Sequence, residues 1–162
     1  MSAEDFKPKF TLHPGDPAPN FFAPNQAGKL IELYSISSEW TILFFYPQDL
    51  TPTCIKEACN LRDNYTALKK LKCKIFGISQ DDEKSHKKFI DRYTLPYELL
   101  VDSGNKIATD YNVYSRKKFM GIAYTGIHRS TFILDEQKKI HKIIYPVVSA
   151  NHHSQIIEAI SK

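Results

Sequence analysis

Cys54 is the residue of this sequence whose type and position best suit covalent chemistry. It lies in the stretch FFYPQDLTPTCIKEACNLRDNY, at residues 44–65. Thr51 is a favoured residue immediately before a helix and Pro52 is favoured at the first helical position, so Cys54 falls in the first turn. Free backbone N–H groups and the positive end of the helix dipole favour an anion there. The thiolate is the nucleophilic form of cysteine, and the sequence therefore predicts a reactive thiol at Cys54.

The elements that position Cys54 are a strand before it and a helix after it. Residues 41–46 form a short, almost unbroken apolar run, typical of a strand covered on both faces, and Pro47 ends the run. After Cys54, apolar side chains recur at three- and four-residue steps, which predicts an amphipathic helix packed on a sheet. The residues at these steps are Ile55, Ala58, Leu61, Arg62, Tyr65, Leu68 and Leu71, and all of them except Arg62 are apolar.

The rest of the chain alternates strand and helix patterns. Strands are predicted at residues 73–79 and 99–101, with a helix at 85–93, helical turns at 105–111 and an irregular loop at 114–125. An antiparallel hairpin of residues 131–135 and 140–145 is expected before a last helix at 152–160. A proline-rich N-terminal extension leads into a short hairpin of residues 21–23 and 29–33. This order predicts an α/β protein of thioredoxin-like fold, in which a central mixed β-sheet is flanked by helices, as one domain over residues 1–162.

Composition and charge exclude several classes of protein. Of the 162 residues, 42% are hydrophobic and 25% are charged, as is ordinary for a globular domain. The sequence has no apolar run of the roughly 20 residues needed to span a bilayer. It also lacks the basic-then-apolar pattern of a secretory signal, so we expect a cytoplasmic protein without membrane contact. The net charge is only +4 and the basic clusters are scattered among carboxylates, so nucleic acid is not an expected partner. The three cysteines are too few for a secreted disulfide scaffold.

A known signature surrounds the reactive cysteine. Pro47, Thr51 and Cys54 match the Pro-x-x-x-Thr-x-x-Cys pattern of the peroxiredoxins. Further matches to the peroxiredoxin Q, or bacterioferritin-comigratory, branch extend along nearly the whole chain, at residues 59–63 (CNLRD), 95–96, 99–102 and 126–132 (GIHRSTF). The sequence therefore resembles that branch. It departs from the branch at Thr53 and Lys138, where glycine is usual, and these two differences affect the local shape of loops and no reacting group.

The resemblance implies a thiol peroxidase that reduces hydrogen peroxide and organic hydroperoxides without a cofactor or a metal. In the family scheme, the Cys54 thiolate attacks the peroxide and becomes a sulfenic acid. Thr51 would supply a hydroxyl as a hydrogen-bond donor, Arg129 a positive charge, and Pro47 a shield from water. Cys59 would resolve the sulfenic acid as an intramolecular disulfide, and thioredoxin would reduce that disulfide. We expect a monomer.

Four further residues are interpreted from their positions alone. Glu57 is either an acid favoured by the helix dipole near the start of the helix or a group that orients Arg129. Cys73 begins an apolar strand and is expected to be an inert core residue. His152 and His153 are expected to lie on the surface of the last helix, because no cysteine or carboxylate stands at ligand spacing from them.

Two functions of other classes remain open from the sequence. The same fold could bind or deliver a metal through Cys54, Cys59 and a histidine, although the five-residue cysteine spacing fits zinc poorly. It could also serve as a non-enzymatic redox sensor that uses the thiol as a switch. Metal analysis of the purified protein tests the first function, and rapid, saturable peroxide turnover separates an enzyme from a sensor.

Overall fold

A computed structural model of the protein describes residues 3–161. Within this range the strands are β1 (Phe22–Pro24), β2 (Leu30–Glu32), β3 (Trp40–Phe45), β4 (Cys73–Ser79), β5 (Glu98–Val101), β6 (Tyr114–Phe119), β7 (Ile122–Ile127), β8 (Ser130–Leu134) and β9 (Ile140–Ile144). The helices are α1 (Pro52–Asp63), α2 (Tyr65–Lys70), α3 (Glu83–Tyr93), α4 (Lys106–Asp110) and α5 (His152–Ile160). Short 3₁₀ turns lie at Ala3–Phe6, Leu33–Ser35, Ser103–Asn105 and Ser149–Asn151. None of these helices combines the length and the apolar character that a membrane crossing requires.

The central sheet has the strand order β5-β4-β3-β8-β9. Strand β3 runs parallel to β4, and β4 runs parallel to β5, whereas β8 is antiparallel to both β3 and β9. The predicted mixed sheet is thereby confirmed, and the strand predicted at residues 73–79 coincides with β4. Strand β3 lies at the centre of the sheet, and its residues 41–45 are all buried, as their apolar pattern requires.

Alternate side chains of β3 enter two hydrophobic cores on opposite faces of the sheet. Leu43 and Phe45 face one of these cores. Phe44 faces the second core, which contains side chains of α1, α3 and α5, and Cys54 lies in it. The buried face of α1 is therefore fixed against the sheet, and the start of α1 lies beside the end of β3.

Two hairpins flank the sheet, and one of them corrects the sequence analysis. Strands β1 and β2 form the short hairpin that was expected near the N-terminus. The irregular loop predicted at residues 114–125 was wrong, because this segment forms most of the antiparallel pair β6 and β7. Met120 and Gly121 connect the two strands with positive φ angles of 50° and 81°, the backbone of a tight two-residue hairpin turn. Most side chains of β6 and β7 are at least partly exposed, so an apolar alternation does not mark them.

Two smaller local features differ from the expectations. The helix expected to continue to Leu71 is divided at Asn64, where the backbone leaves the helical region (φ −114°, ψ 16°). Lys138, in the turn between β8 and β9, adopts a left-handed conformation with φ of 63°. Glycine takes this conformation without steric cost, so Lys138 lies at a position whose backbone favours glycine.

Candidate active site

Cys54 lies in the first turn of α1, where the sequence predicts it. The helix begins at Pro52, and Thr51 before it has an extended backbone (φ −84°, ψ 151°). Cys54 is only 2% exposed and packs among the side chains of the second core. Cys54 therefore lies in the turn whose backbone N–H groups have no partner within the helix, and its side chain is almost completely shielded from bulk water.

Thr51 lies at the predicted position but uses its side chain differently. Its hydroxyl donates a hydrogen bond of 3.1 Å to the backbone oxygen of Gln48. Within the described chain it forms no side-chain capping bond to α1. A hydroxyl has one proton and two lone pairs, so Oγ1 keeps acceptor capacity while its proton is bound to Gln48. The structure thus gives the site an acceptor at Thr51, whereas the sequence analysis expected a donor.

Arg129 bridges Cys54 and Glu57. Its Nη2 donates a hydrogen bond to the Cys54 sulfur over 3.2 Å, and its Nη1 donates to Oε1 of Glu57 over 2.6 Å. Arg129 immediately precedes β8, whose first residue pairs with the last residue of β3. The sheet therefore brings the arginine to the end of β3, where the loop to α1 begins. Of the two interpretations of Glu57, the structure supports contact with Arg129.

Glu57 and His152 form a buried pair behind the arginine. Both side chains are 0% exposed, and Oε2 of Glu57 lies 3.2 Å from Nδ1 of His152. Burial raises the pKa of Glu57 to about 7, although the charge of Arg129 opposes this rise. Burial also lowers the pKa of His152 to about 3, with a smaller effect of Arg129 in the same direction. The prediction that His152 lies on the surface was therefore wrong, and at neutral pH its ring is uncharged.

The β6–β7 hairpin forms one wall beside the site. A cleft of about 130 Å³ lies between Pro47 and hairpin residues that include Lys117 and Tyr124. The ammonium of Lys117 donates to the backbone oxygen of Ile127 over 2.6 Å. Partial burial lowers the pKa of Lys117, and the charge of Arg129 lowers it further. The sequence analysis missed this second cation because it interpreted the hairpin as an irregular loop.

Asp49 anchors the loop between β3 and α1. Its carboxylate accepts hydrogen bonds from the Tyr46 hydroxyl (2.5 Å) and the Ser85 hydroxyl (2.8 Å), and it lies 2.6 Å from Nδ1 of His86. The backbone N–H of Asp49 donates to Asp81. These contacts fix the loop that carries Pro47 and Thr51 onto the N-terminal turns of α3.

Among the described residues, the side chains around Asp49 are grouped closely enough to hold a metal ion. Asp49, Asp81 and His86 each offer one ligand atom, and these atoms lie within 4.8 Å of one another. The carboxylates of Asp49 and Asp81 already accept hydrogen bonds from neighbouring side chains. His86 contacts Asp49 through one ring nitrogen and the Leu100 carbonyl through the other. We therefore interpret the cluster as the support of the loop.

The other two cysteines have different environments. Cys59 is half-buried in α1, the same helix that contains Cys54, and all three cysteines are free thiols. Burial raises the pKa of Cys59, and the charge of Arg62 opposes this rise. Cys73 is buried at the start of β4, and burial raises its pKa to about 11. The position of Cys73 agrees with that of a core residue.

Asn60, directly after Cys59, ties α1 to the last helix. Its side-chain amide donates to the backbone oxygen of Ala150 over 3.0 Å. Its side-chain oxygen accepts from the backbone N–H of His153 over 2.8 Å. These two bonds form what we call the Asn60 clamp, which joins the middle of α1 to the start of α5.

Comparison with known proteins connects this site to a family. The model of the AhpC/TSA family matches residues 14–143. Peroxiredoxin Bcp of Escherichia coli K12 is 35% identical over 146 residues, which are 90% of this chain and 94% of the relative. Peroxiredoxin Bcp of Bacillus subtilis is 33% identical over 150 residues, which are 93% of this chain and 96% of the relative.

Solved structures of similar proteins share the fold. Peroxidoxin BcpB from Mycobacterium tuberculosis has a TM-score of 0.82 at 28% identity, covering 93% of this chain and 97% of the other. Peroxiredoxin Q from Xanthomonas campestris has a TM-score of 0.83 at 26% identity, covering 94% of this chain and 96% of the other. The bacterioferritin comigratory protein of the same organism, studied for its alkyl peroxide reduction activity, has a TM-score of 0.83 at 25% identity, covering 94% and 98%.

The family match and the relatives named peroxiredoxin define the class of protein as a thiol peroxidase. The chain belongs to the AhpC/TSA family, and within it to the peroxiredoxin Q, or Bcp, branch. These comparisons confirm three predictions made from the sequence. They are the resemblance to the peroxiredoxins, the thioredoxin-like fold and the assignment as an enzyme.

Proposed function

We propose that Cys54 is the peroxidatic residue and that Arg129 stabilises the charge of the reaction. The observation that carries this proposal is the 3.2 Å hydrogen bond from Arg129 to the Cys54 sulfur. A cation at this distance from the sulfur stays beside the peroxide oxygens as negative charge moves onto them. The thiolate attacks the terminal oxygen and the O–O bond breaks. The leaving alkoxide or hydroxide takes up a proton to give an alcohol or water, and Cys54 is left as a sulfenic acid.

Thr51 and Pro47 would orient the peroxide and shape its pocket. Because the Thr51 hydroxyl donates to Gln48, its oxygen is free to accept the O–H of the terminal peroxide oxygen. That bond would direct the oxygen that is to be attacked. Pro47 is half-buried and lines the cleft beside the β6–β7 hairpin, where it would limit the access of water to the sulfur. The Asp49 contacts hold both residues in place.

Cys59 would resolve the sulfenic acid of Cys54, and this step requires α1 to unwind. Both cysteines lie within the helix Pro52–Asp63. Five residues of an α-helix rise about 7.5 Å and turn by about 500°, whereas a disulfide tolerates Cα atoms no more than about 7 Å apart. The two sulfurs therefore cannot bond while the helix is intact. Local opening of a helix end costs much less than global unfolding, so a cycle between a folded and a locally unfolded form is accessible.

Peroxide treatment should therefore produce a Cys54–Cys59 disulfide within one chain. Mass spectrometry of the digested protein identifies the bond, and hydrogen exchange should show loss of protection between residues 53 and 61 upon oxidation. Protection in α3 should stay unchanged, which provides an internal control. A bond to Cys73 or to a second chain, or an oxidised helix with unchanged protection, would contradict this mechanism.

Thioredoxin is the reductant that we propose for the oxidised enzyme, and we propose a monomer as the active form. Unwinding would expose the disulfide on an extended segment that a second thiol protein can reach. The deciding experiment is NADPH consumption in the presence of hydrogen peroxide, thioredoxin and thioredoxin reductase, with the Cys59→Ser variant for comparison. Saturable turnover that depends on both thioredoxin and Cys59 is expected. One stoichiometric oxidation without turnover would indicate a redox sensor.

A further inference from the structure

A continuous chain of contacts joins the Cys54 sulfur to the last helix. Arg129 bridges Cys54 and Glu57 through its two terminal nitrogens. The second oxygen of Glu57 lies 3.2 Å from Nδ1 of His152, at the start of α5. On its other side, Nε2 of His152 lies 2.6 Å from the hydroxyl of Thr131 on β8. Glu57, His152 and Thr131 are all 0% exposed, so water does not compete for these contacts.

Two buried polar atoms in the middle of this chain of contacts depend on each other for a hydrogen-bond partner. Oε2 of Glu57 and Nδ1 of His152 are buried, and neither forms a regular hydrogen bond with any residue between 3 and 161. A buried polar atom without a partner is destabilising. Because the two atoms face each other at 3.2 Å, a proton on Nδ1 satisfies both. The Thr131 hydroxyl can then donate to Nε2, which gives the neutral ring one proton and a partner on each nitrogen.

We propose that His152 is a positioning residue of the peroxidase, which holds the Glu57 carboxyl through Nδ1–H so that Glu57 holds Arg129 against the Cys54 sulfur. The inference rests on the proposed role of Arg129. His152 acts through two intermediate side chains and not on the peroxide itself. Without this support, the Glu57 carboxyl is free to rotate about its last torsion, and the guanidinium that it fixes can move away from the sulfur.

The test compares His152→Leu with His152→Asn. Asparagine can place an N–H donor where Nδ1 of the histidine lies, whereas leucine removes both polar contacts. The measured quantity is the second-order rate constant for reaction of the reduced protein with hydrogen peroxide, followed by rapid mixing. A displacement of about 1 Å in an active site can cost on the order of 10²-fold in rate. Because His152 acts through two intermediate side chains, we expect a smaller loss of about tenfold for the leucine variant. The asparagine variant should lose much less.

Three further measurements keep a positioning role distinct from a structural one. The variant His153→Leu changes the neighbouring histidine, which contacts Asn60 instead of Glu57, and should react at close to the wild-type rate. Thermal midpoints of all variants show whether the rate merely follows stability. Equal rates for the leucine and asparagine variants, or rates that track the midpoints, would overturn the inference. Arg129→Met in the same assay tests the proposed function separately, because a wild-type rate there would refute the role of Arg129 itself.

Discussion

Replacing Cys54 by serine should abolish peroxide turnover and leave the fold intact. The serine hydroxyl is not ionised at neutral pH and cannot replace the thiolate as a nucleophile toward oxygen. Serine is close to cysteine in size, so the packing around this 2% exposed position should change little. Peroxide consumption with a thiol reductant measures the first effect, and the thermal midpoint by circular dichroism measures the second.

Cys73→Ala is the matched control for this experiment. Cys73 is also buried, but it lies at the start of β4, and burial raises its pKa to about 11. It is therefore a neutral thiol at physiological pH, and its removal should leave turnover near the wild-type level. Substantial turnover in Cys54→Ser, or its loss in Cys73→Ala without loss of stability, would move the chemistry away from Cys54.

Replacing Arg129 by methionine should slow the reaction with peroxide by about 10²-fold, the typical cost of removing one electrostatic donor from an active site. Methionine keeps much of the aliphatic stem but loses the hydrogen bonds to Cys54 and Glu57. The side chain of Arg129 is only 17% exposed, so water cannot fully replace the lost charge. Rapid mixing with hydrogen peroxide gives the rate constant directly.

Arg92→Met provides the comparison for Arg129→Met. Arg92 is exposed in the last turn of α3, where its guanidinium lies over the ring of Tyr93. The same change of charge at this position should leave the rate constant unchanged within error. If both arginine variants reacted at the wild-type rate, Arg129 would have a structural role in its ion pair with Glu57.

Sequence patterns were sufficient to predict the strands and helices whose formation depends on residues close together in sequence. The apolar run of β3 requires burial on both faces, and Thr51-Pro52 marks the start of α1, so the location of Cys54 in the first turn followed directly. Arg129 is different. It lies far from Cys54 in sequence, and only the pairing of β8 with β3 brings it to the sulfur. Without the family resemblance, periodicity could not have identified it.

The two errors have identifiable physical causes. The β6–β7 hairpin is stabilised by its backbone ladder and a tight turn, and its side chains lack the alternation of apolar and polar residues that marks a half-buried strand. His152 was taken for a surface residue because no cysteine or carboxylate stands at ligand spacing from it in the sequence, but the fold places Glu57 beside it. However, His152 precedes Ile156 by four residues and so lies on the same helical face, which is buried. That spacing was a usable signal.

The Asn60 clamp has a consequence for tolerance of high peroxide concentrations. The clamp joins α1 to α5 immediately after Cys59, so the opening of α1 that we propose for residues 53–61 must also release the clamp. Until this opening occurs, the sulfenic acid of Cys54 can react with a second peroxide molecule and become a sulfinic acid. Thiols do not reduce a sulfinic acid. The stability of a few helical residues would thus set the peroxide concentration at which the enzyme begins to inactivate itself. Mass spectrometry of the protein across a peroxide titration would determine that concentration from the first appearance of a sulfinic acid at Cys54.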